Sequence, residues 1–326
     1  MLGVRQALLV ALLAAWVPWT SAVAGEETDP TDRCDRLAAG PDDPHRQADP
    51  VELGRIDVPA ALAMCESALA RDPDNPRLHY QYGRALLAAG REDEARRSWR
   101  RAALFDYEAA LYELGRTLLV PGNTLPGIRA REGQVLLFRA ASRGHIGAAE
   151  TLGQVYEKGH GVPLSAVAAA RWYGVAVAGG SVLAMQRLGV MYMDGRGVEQ
   201  DPRRAIELFE TAAAAGDTRS MNALGWIYEK GTGVEADATE ALLWYRKAAE
   251  LGWTPAQVSL ARLLLKEDGR DANREAFTWL MIAELLGDEP AADEARALVG
   301  RLSAEEKRKA EEAARAWVNE FEARMR

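Results

Sequence analysis

Apolar residues in the central part of the chain recur at helical spacing, in two alternating kinds of segment. In the first kind, apolar residues at positions −4, 0, +3 and +4 around a leucine share one face of a helix with a 3.6-residue period. The second kind opens with a Ser or Asp suited to capping a helix and then carries an aromatic residue and alanines. Glycines, which readily terminate helices, separate the segments. The pattern predicts an all-α fold of short helix pairs.

The helix pairs repeat with a period of about 36 residues. A Leu-Gly dipeptide starts at Leu114, Leu152, Leu188 and Leu224, and Leu260-Ala261 continues the series. Repetition at such a period is the signature of a stacked array. The three central units share a leucine, a glycine, a tyrosine and two turn glycines at matching places: Leu152, Gly153, Tyr156, Gly159 and Gly161; Leu188, Gly189, Tyr192, Gly195 and Gly197; Leu224, Gly225, Tyr228, Gly231 and Gly233.

The glycines of each unit have two predicted roles. A glycine beside the leucine costs about 1 kcal/mol in helix propensity, which close approach of the second helix would offset. The paired turn glycines can end the first helix in the left-handed conformation and reverse the chain. They are not a nucleotide-binding loop, because no strand precedes them and no third glycine completes the motif. On the second helix, Trp172 and Trp244 are expected in the core.

The repeated pattern Ala-x-x-x-Leu-Gly-x-x-Tyr, Gly-x-Gly-Val and Ala-x-x-Trp-Tyr-x-x-Ala-Ala resembles the Sel1-like repeat, a relative of the tetratricopeptide repeat. The resemblance is close over residues 148–252 and weaker on both sides. It implies a right-handed α/α superhelical solenoid of stacked antiparallel helix pairs, of the exported bacterial type. It also implies adaptor or regulatory roles, such as control of a membrane sensor or organisation of envelope and polysaccharide machinery.

The repeats suggest a division of the chain into consecutive parts. Atypical units are expected at the ends of a stacked array, which must be covered there. Ser303-Ala304-Glu305-Glu306 has the pattern of a capping box that opens a final helix. The predicted parts are a signal peptide (1–24), an N-terminal extension tied by a disulfide (25–57), tetratricopeptide-like helices (58–105), Sel1-like units (106–145, 146–181, 182–217, 218–253 and 254–287) and C-terminal capping helices (288–326).

The first residues have the pattern of a secretory signal peptide. Arg5 precedes the apolar run Ala7–Val17, and Ala22-Val23-Ala24 offers small residues for cleavage after Ala24. The run is shorter than a membrane-spanning helix requires, although an uncleaved anchor stays open as an alternative. We therefore expect a periplasmic or secreted protein that is not inserted in the membrane after cleavage.

Two cysteines, Cys34 and Cys65, are the only ones in the chain. In an oxidising compartment they most simply pair with each other. Such a bridge would close a loop of about 30 residues and stabilise the fold by roughly 3–4 kcal/mol in the chain-entropy account. It is expected to pin the segment Pro41–Pro50 onto the first helix of the helical region. A free, buried Cys65 is the alternative.

Charge and motifs argue against nucleic-acid binding and catalysis. The net charge is −8 and the isoelectric point about 5.3, without the basic stripe that phosphate recognition requires. The four histidines form no metal-ligand motif, and His160 stands where other units carry Arg196 or Thr232. No serine-nucleophile motif occurs. We expect no catalytic residue, metal or cofactor; the alternative is an envelope enzyme, or an accessory subunit of one or of polysaccharide machinery, with an unrecognised site.

Positions −2, +2 and +5 from each unit leucine point away from the core and are expected on the concave face of the array. They are Tyr112, Arg116 and Leu119; Glu150, Gln154 and Glu157; Gln186, Val190 and Met193; Asn222, Trp226 and Glu229; Val258, Arg262 and Leu265. We predict a partner groove with Trp226 as anchor and Arg262 beside it, residue types favoured at hot spots. Its other members are Val190, Met193, Asn222 and Val258, and its partner is a protein or extended peptide of the cell envelope. The alternative is that these side chains pack against neighbouring units.

Overall fold

A computed structural model describes residues 29–119, 126–267 and 269–325, and within these ranges the protein contains α-helices and no strand. Apart from α16, each helix packs mainly on its neighbours in chain order, which confirms the predicted all-α solenoid of helix pairs. The helices are α1 (Pro30–Ala38), α2 (Val58–Arg71), α3 (Pro76–Ala88), α4 (Glu92–Leu104), α5 (Glu108–Leu118), α6 (Pro126–Ser142), α7 (Ile146–Lys158), α8 (Ala166–Ala178), α9 (Val182–Asp194), α10 (Pro202–Ala214), α11 (Thr218–Lys230), α12 (Ala238–Glu250), α13 (Thr254–Leu264), α14 (Arg270–Leu285), α15 (Glu289–Leu298) and α16 (Ala304–Met325).

The predicted signal peptide, residues 1–24, lies outside the described residues. Among the helices that are described, none combines the length and the apolarity needed to cross a membrane. The predicted disulfide between Cys34 and Cys65 is present, with both side chains fully buried, so the alternative of a free Cys65 is wrong. It ties α1 to α2, and such a bridge is typical of proteins from an oxidising compartment.

The two helices of each central unit meet at the glycine beside the unit leucine. A Cβ atom on Gly153 would lie 2.5 Å from the Tyr173 ring. At Gly189 it would lie 2.7 Å from the ring of Phe209, and Gly225 faces Tyr245 in the same way at 2.5 Å. Real Cβ contacts are longer than this, so each ring packs directly on the helix backbone. The prediction that close helix approach offsets the poor propensity of glycine is confirmed.

The fully buried aromatic residue of the second helix is the one after the predicted tryptophan. Tyr173 and Tyr245 are at most 2% exposed, whereas Trp172 and Trp244 are only partly buried. The expectation that both tryptophans lie in the core holds only in part, because they pack against the core clusters without being fully buried. Successive helical residues point 100° apart, and the following position is the one that faces the glycine. Trp172 instead meets Phe138 edge-on, at a ring-centroid distance of 5.6 Å.

The turn glycines adopt the left-handed conformation that the sequence predicts. The first glycine of each turn caps the first helix, and the second also has positive φ. The second glycine has a further role, because a Cβ atom there would collide with the start of the second helix of the preceding unit. These contacts are Gly161 on Ala130 at 2.4 Å, Gly197 on Ala166 at 2.3 Å and Gly233 on Pro202 at 2.3 Å. The second turn glycine therefore lies at the joint between units.

Polar side chains cap helices where the sequence places them. Ser165, Asp201 and Asp237 accept hydrogen bonds from backbone N–H groups in the first turns of α8, α10 and α12. The predicted capping box opens α16: Ser303 Oγ accepts from the Glu306 N–H at 3.3 Å, and the Glu306 carboxylate accepts from the Ser303 N–H at 2.8 Å.

Among the described residues, the hydrophobic core is made of three adjoining clusters. The first involves α1 to α3, the second runs from α3 to α9 and the third from α10 to α16. Leu62 and Tyr82 pack against both the first and the second, and Tyr192 against both the second and the third. These partly buried side chains make the core continuous along the array.

The last helix folds back over the array. Ala310, Ala314 and Val318 of α16 are buried, and α16 packs on α14. The Phe321 ring lies so close to Gly252 that a Cβ atom there would be 2.3 Å away. Helix α16 thus covers apolar surface that a further unit would otherwise bury.

Candidate functional site

The first helices of successive units bring one series of positions onto a common face. Two residues after each unit leucine stand Arg116 of α5, Gln154 of α7, Val190 of α9, Trp226 of α11 and Arg262 of α13. In α3, Tyr82 takes the leucine place, so the series begins with Arg84. We call this series, together with its −2 and +5 neighbours, the groove line.

The N-terminal loop, residues 39–51, lies on the first part of the groove line. The Arg84 guanidinium donates to the carbonyls of Ala38 at 2.9 Å, Ala39 at 2.5 Å and Val51 at 2.6 Å. The Val51 N–H in turn donates to the Ala39 carbonyl at 2.9 Å. Both ends of the loop therefore meet at one buried cation, which satisfies three carbonyl groups at once.

The tip of the loop is fixed by Asp43. Its carboxylate is fully buried and accepts from the Tyr107 hydroxyl, at 2.7 and 2.8 Å to its two oxygens, and from the His45 N–H at 2.9 Å. Burial raises the pKa of Asp43 even though these hydrogen bonds lower it. Beside it, His45 Nε2 lies 2.7 Å from the Glu108 carboxylate. The tip is thus held by polar contacts to the start of α5.

These contacts correct the expected position of this segment. The residues Pro41–Pro50 were expected on α2, to which the disulfide holds α1. They are held by α3 and α5 instead, because Arg84 and Tyr107 supply the donors that the loop carbonyls and Asp43 need. Sequence reasoning missed Arg84, although extending the +2 series by one unit would have found it.

Pairs of aromatic rings lie close to the loop. The Tyr80 and Tyr107 ring centroids are 5.7 Å apart, and the ring of His45 lies 5.8 Å from that of Tyr107. Further along, Tyr112 stacks on His145 at 4.5 Å. Of these rings, Tyr80 and His145 line cavities beside the loop.

Two cavities flank the loop. One, of about 140 Å³, lies where Pro41 and Asp42 face Tyr80, Arg84 and Arg116. The other, of about 280 Å³, separates the loop tip from the segment 144–147, at the start of α7. His145 belongs to the second cavity, and burial lowers its pKa. The loop therefore does not fill the space available above the first helices.

Beyond the loop, Trp226 remains accessible on the groove line. It is 46% exposed, whereas Val190 and Met193 are half-buried and pack against the third core cluster (α10 to α16), called the C-terminal core cluster below. Asn222 is also half-buried, and its Oδ1 finds no hydrogen-bond partner among the described residues. Arg262 is exposed and pairs with Glu294 of α15 through two contacts, at 3.0 and 2.5 Å.

Val258 departs from its predicted place. It is 8% exposed and belongs to the C-terminal core cluster, so it does not present a surface to a partner. The sequence left open the alternative that these side chains pack against neighbouring units. Val258 does so completely, and Val190 and Met193 do so with part of their surface. An aliphatic side chain on an inner curve is stabilised by each neighbouring helix that shields it from water.

The +5 positions carry a structural pairing that the sequence analysis overlooked. Glu157 accepts from the Tyr173 hydroxyl at 2.7 Å, and Glu229 from that of Tyr245 at 2.9 Å. The next unit adds a cation to each, Arg196 at 3.4 Å and Lys266 at 2.8 Å. In the unit between them, Met193 and Phe209 replace the acid and the phenol together. That joint replacement was visible in the sequence and identifies the pair as a contact between helices.

Among the described residues, no group of three His, Cys, Asp or Glu side chains could hold a metal ion. His160 is exposed in its turn, in the place of Arg196 and Thr232 of other units. What the described groove line offers chemically is a row of hydrogen-bond donors, aromatic rings and one exposed indole, which is suited to holding an extended chain.

Comparison with known proteins agrees with the architecture. The Sel1 repeat profile matches residues 148–181, 182–217 and 218–253, and a tetratricopeptide repeat profile matches 55–117. The flanking Sel1-like units at 106–145 and 254–287 stay predictions. No curated protein sequence matches the chain.

Solved structures of repeat proteins align with large parts of this chain. A protective antigen present in uropathogenic Escherichia coli strains, which displays an SLR fold, aligns with a TM-score of 0.65 and 26% identity, over 81% of this chain and 56% of that one. A Sel1 repeat protein from Oxalobacter formigenes aligns with a TM-score of 0.52 and 25% identity, over 62% and 83% of the two chains. This chain thus spans little more than half the length of the antigen.

Proposed function

We propose that this chain is a non-catalytic interaction scaffold or regulator of the cell envelope. It carries a tetratricopeptide repeat followed by three Sel1 repeats. Solenoids of this kind generally mediate protein interactions through an extended face. The observation that carries the proposal is the N-terminal loop itself. A closed loop of this chain lies on the groove line at Arg84, the first member of the series that contains Trp226.

The partner, a protein or an extended peptide, would lie on the open part of the groove line, over α9 to α13. Trp226 is its anchor, since burying the exposed half of an indole is worth on the order of 2–3 kcal/mol. The half-buried Val190 and Met193 form an apolar floor beside it. Arg262 would contribute its guanidinium from the rim, at the cost of weakening its contact with Glu294.

Photo-crosslinking tests this placement. A benzoylphenylalanine at position 226, introduced into the full chain expressed in its native host, is expected to capture one discrete partner. Leu243 is the matched control position, because it belongs to α12 of the same unit and is 44% exposed, close to the 46% of Trp226. Adducts of equal yield and identity at both positions, or none at 226, would exclude the groove as the binding surface.

The proposed location rests on the signal pattern and on the disulfide. Export with cleavage after Ala24 leaves Gly25 as the first residue of the mature protein. Cell fractionation followed by N-terminal sequencing is expected to find that terminus in the periplasm or the medium. Recovery of the intact chain in the cytoplasm, with Cys34 and Cys65 reduced, would overturn the assignment.

A further inference from the structure

Exposed apolar side chains cluster on the side of the array opposite the groove line. The first helices α5, α7 and α9 contact one another in series, as helices on an inner curve do, so the second helices α4, α6 and α8 lie on the outer side. Leu104 and Phe105 at the end of α4, and Val135 and Phe138 of α6, are between 53 and 76% exposed. Exposed apolar side chains that lie close together mark a surface for a partner or a membrane.

These four side chains, called the outer patch below, belong to one surface that spans two helices. Leu104 lines a cavity of about 250 Å³ together with Arg139, which places the end of α4 beside α6. Val135 and Phe138 are three residues apart and therefore share one face of α6. Phe138 extends the surface towards α8, where its ring meets that of Trp172. Folding thus joins apolar groups that lie far apart in the sequence.

Four arginines border the outer patch, namely Arg100, Arg101, Arg139 and Arg143. The two on α4 are exposed, and neither forms a salt bridge with an acidic side chain among the described residues. The two on α6 share a single acid, the Asp106 carboxylate. Glu132 is a second acid beside the same cavity. The four cations thus stand against two acids, which leaves an excess of positive charge around the apolar groups.

This excess of positive charge is local. Residues 95–145 contain nine arginines and four acidic residues, in a chain whose net charge is −8. The outer side changes its character at α10, the next second helix, which exposes Glu207 and Glu210. No basic stripe is visible along the sequence, because the arginines come from different helices and only folding brings them onto one face.

We propose that the outer patch binds the surface of a membrane that contains anionic phospholipids. Arginines are attracted to anionic headgroups, and the exposed ring and aliphatic groups between them would enter the boundary between headgroups and acyl chains. An outward-curved surface does not enclose an extended chain as a groove does, whereas a bilayer can meet it from one side. The groove line then faces away from the membrane and stays free for a protein partner.

Flotation with lipid vesicles tests this proposal. The protein used is the chain that begins at Gly25, because the apolar run of the predicted signal peptide would itself enter a bilayer. The probe is vesicles of an equal mixture of phosphatidylcholine and phosphatidylglycerol, and vesicles of phosphatidylcholine alone are the neutral control. We expect the chain to float with the mixed vesicles and to bind the neutral ones at least about tenfold more weakly. Salt at about 0.5 M should release it, because salt screens the attraction between exposed charges.

A substitution in the outer patch locates the apolar part of the contact. Phe105→Ser removes an exposed ring at the C-terminal end of α4. Leu251→Ser is the matched control, because Leu251 takes the same place at the end of α12 and is 52% exposed, against 53% for Phe105. We expect about tenfold weaker binding for the first variant, since its ring would no longer leave water on contact with the bilayer. The second should bind as the wild type does.

A double substitution locates the charged part. Arg100→Gln together with Arg101→Gln removes two adjacent exposed cations beside the outer patch. Its control is Arg308→Gln together with Lys309→Gln, two adjacent exposed cations of α16. Each arginine near an anionic surface strengthens binding by roughly fivefold, so the first pair should weaken it at least about tenfold and the control should not. All these positions are exposed, so the urea midpoints should stay close to that of the wild type.

Two results would overturn this proposal. One is that the wild-type chain does not float with the mixed vesicles, which would leave an acidic protein surface as the occupant of the outer patch. The other is that the control variants lose as much binding as the variants of the outer patch. Crosslinking at position 226 reads the groove line on the inner side, so neither result bears on the proposed function.

Discussion

At the scale of single residues, the missing side chain of Gly225 sets the distance between two helices. A methyl group there would lie 2.5 Å from the Tyr245 ring, which is 2% exposed and cannot move aside. Alanine gains about 1 kcal/mol in helix propensity but incurs an overpacking cost of about 1–3 kcal/mol. We expect the difference, a net destabilisation of up to about 2 kcal/mol for Gly225→Ala, to appear as a lower urea midpoint.

Gly174 is the matched control for that substitution. It also lies inside a helix, α8, but no heavy atom comes within 4 Å of the place its Cβ would occupy. Gly174→Ala should therefore raise the midpoint, by up to about 1 kcal/mol in stability. A shift in the same direction for both variants would refute the steric explanation.

Glu229 gives the fold a pH dependence of known sign. Burial raises its pKa, but hydrogen bonds from Lys230, Lys266 and Tyr245 outweigh burial and lower the pKa to about 2. Its folded pKa thus lies below the ordinary 4.5, so its contribution to stability is complete above pH 4.5 and is lost as the pH falls towards 2.

The measurement is urea unfolding of the wild type and of Glu229→Gln at several pH values. The difference in unfolding free energy should be largest at neutral pH and shrink between pH 4.5 and 2. Glu235→Gln, in an exposed turn, serves as the control and should show no such trend. A difference that stays constant over this range would contradict the role of the charge.

Residue roles were predictable where they repeat and were missed where they do not. The glycines that face aromatic rings, such as Gly189, recur at one fixed spacing. Their role can therefore be recognised from one sequence alone. The choice between Trp172 and Tyr173 as the buried ring depends on one 100° step of the helix, finer than a hydrophobicity pattern resolves. Val258 was misplaced because its position in the series cannot reveal which neighbour covers it.

At the scale of elements, the disulfide should stabilise one end of the array only. Replacing both Cys34 and Cys65 by serine removes a link across a sequence separation of 31 residues, worth roughly 3–4 kcal/mol. We expect α1 and the N-terminal loop to lose hydrogen-exchange protection. The helices α9 to α12 should keep theirs, because units of a solenoid contact mainly their neighbours.

That contrast between the two regions is the internal control. Equal loss of protection across the whole chain would show that the array unfolds as one body, which the packing of helices on their neighbours argues against. Mass spectrometry of peptides from both regions reads the outcome directly.

Helix positions followed from the sequence, whereas the path of the N-terminal loop did not. Asn75-Pro76 and Gly90 bracket α3, and the capping box at Ser303 opens α16 as predicted. These signals are local: a cap, a glycine and a periodic face. The contact of Arg84 with the carbonyl of Val51 joins residues 33 apart in sequence, and no local pattern records it.

For the molecule as a whole, the last helix covers apolar surface at the end of the array. Removing residues 303–326 would uncover the partners of Ala314, Val318 and Phe321 on α14 and beside Gly252. An uncapped repeat array exposes core surface and loses solubility. We expect the truncated chain to self-associate and to bind a hydrophobic dye, as measured by light scattering and dye fluorescence.

A variant with an intact backbone separates capping from length. Trp317→Ala removes a ring that stacks on Phe321 at 5.0 Å and meets Trp279 at 5.9 Å, yet keeps the helix. It should show a milder form of the same behaviour. A truncated chain that stays monomeric, binds no dye and unfolds at the wild-type midpoint would contradict the capping role of α16.

The second glycine of each turn rests on the second helix of the unit before it, at Gly161, Gly197 and Gly233 alike. Because the same joint is reproduced each time, a duplicated 36-residue block could be spliced in without repair of its borders. Each such duplication would lengthen the groove line by about one interhelix distance, ~10 Å. Duplication of such a block would then change the length of the segment that the groove line can bind. Each existing recognition position would stay in place.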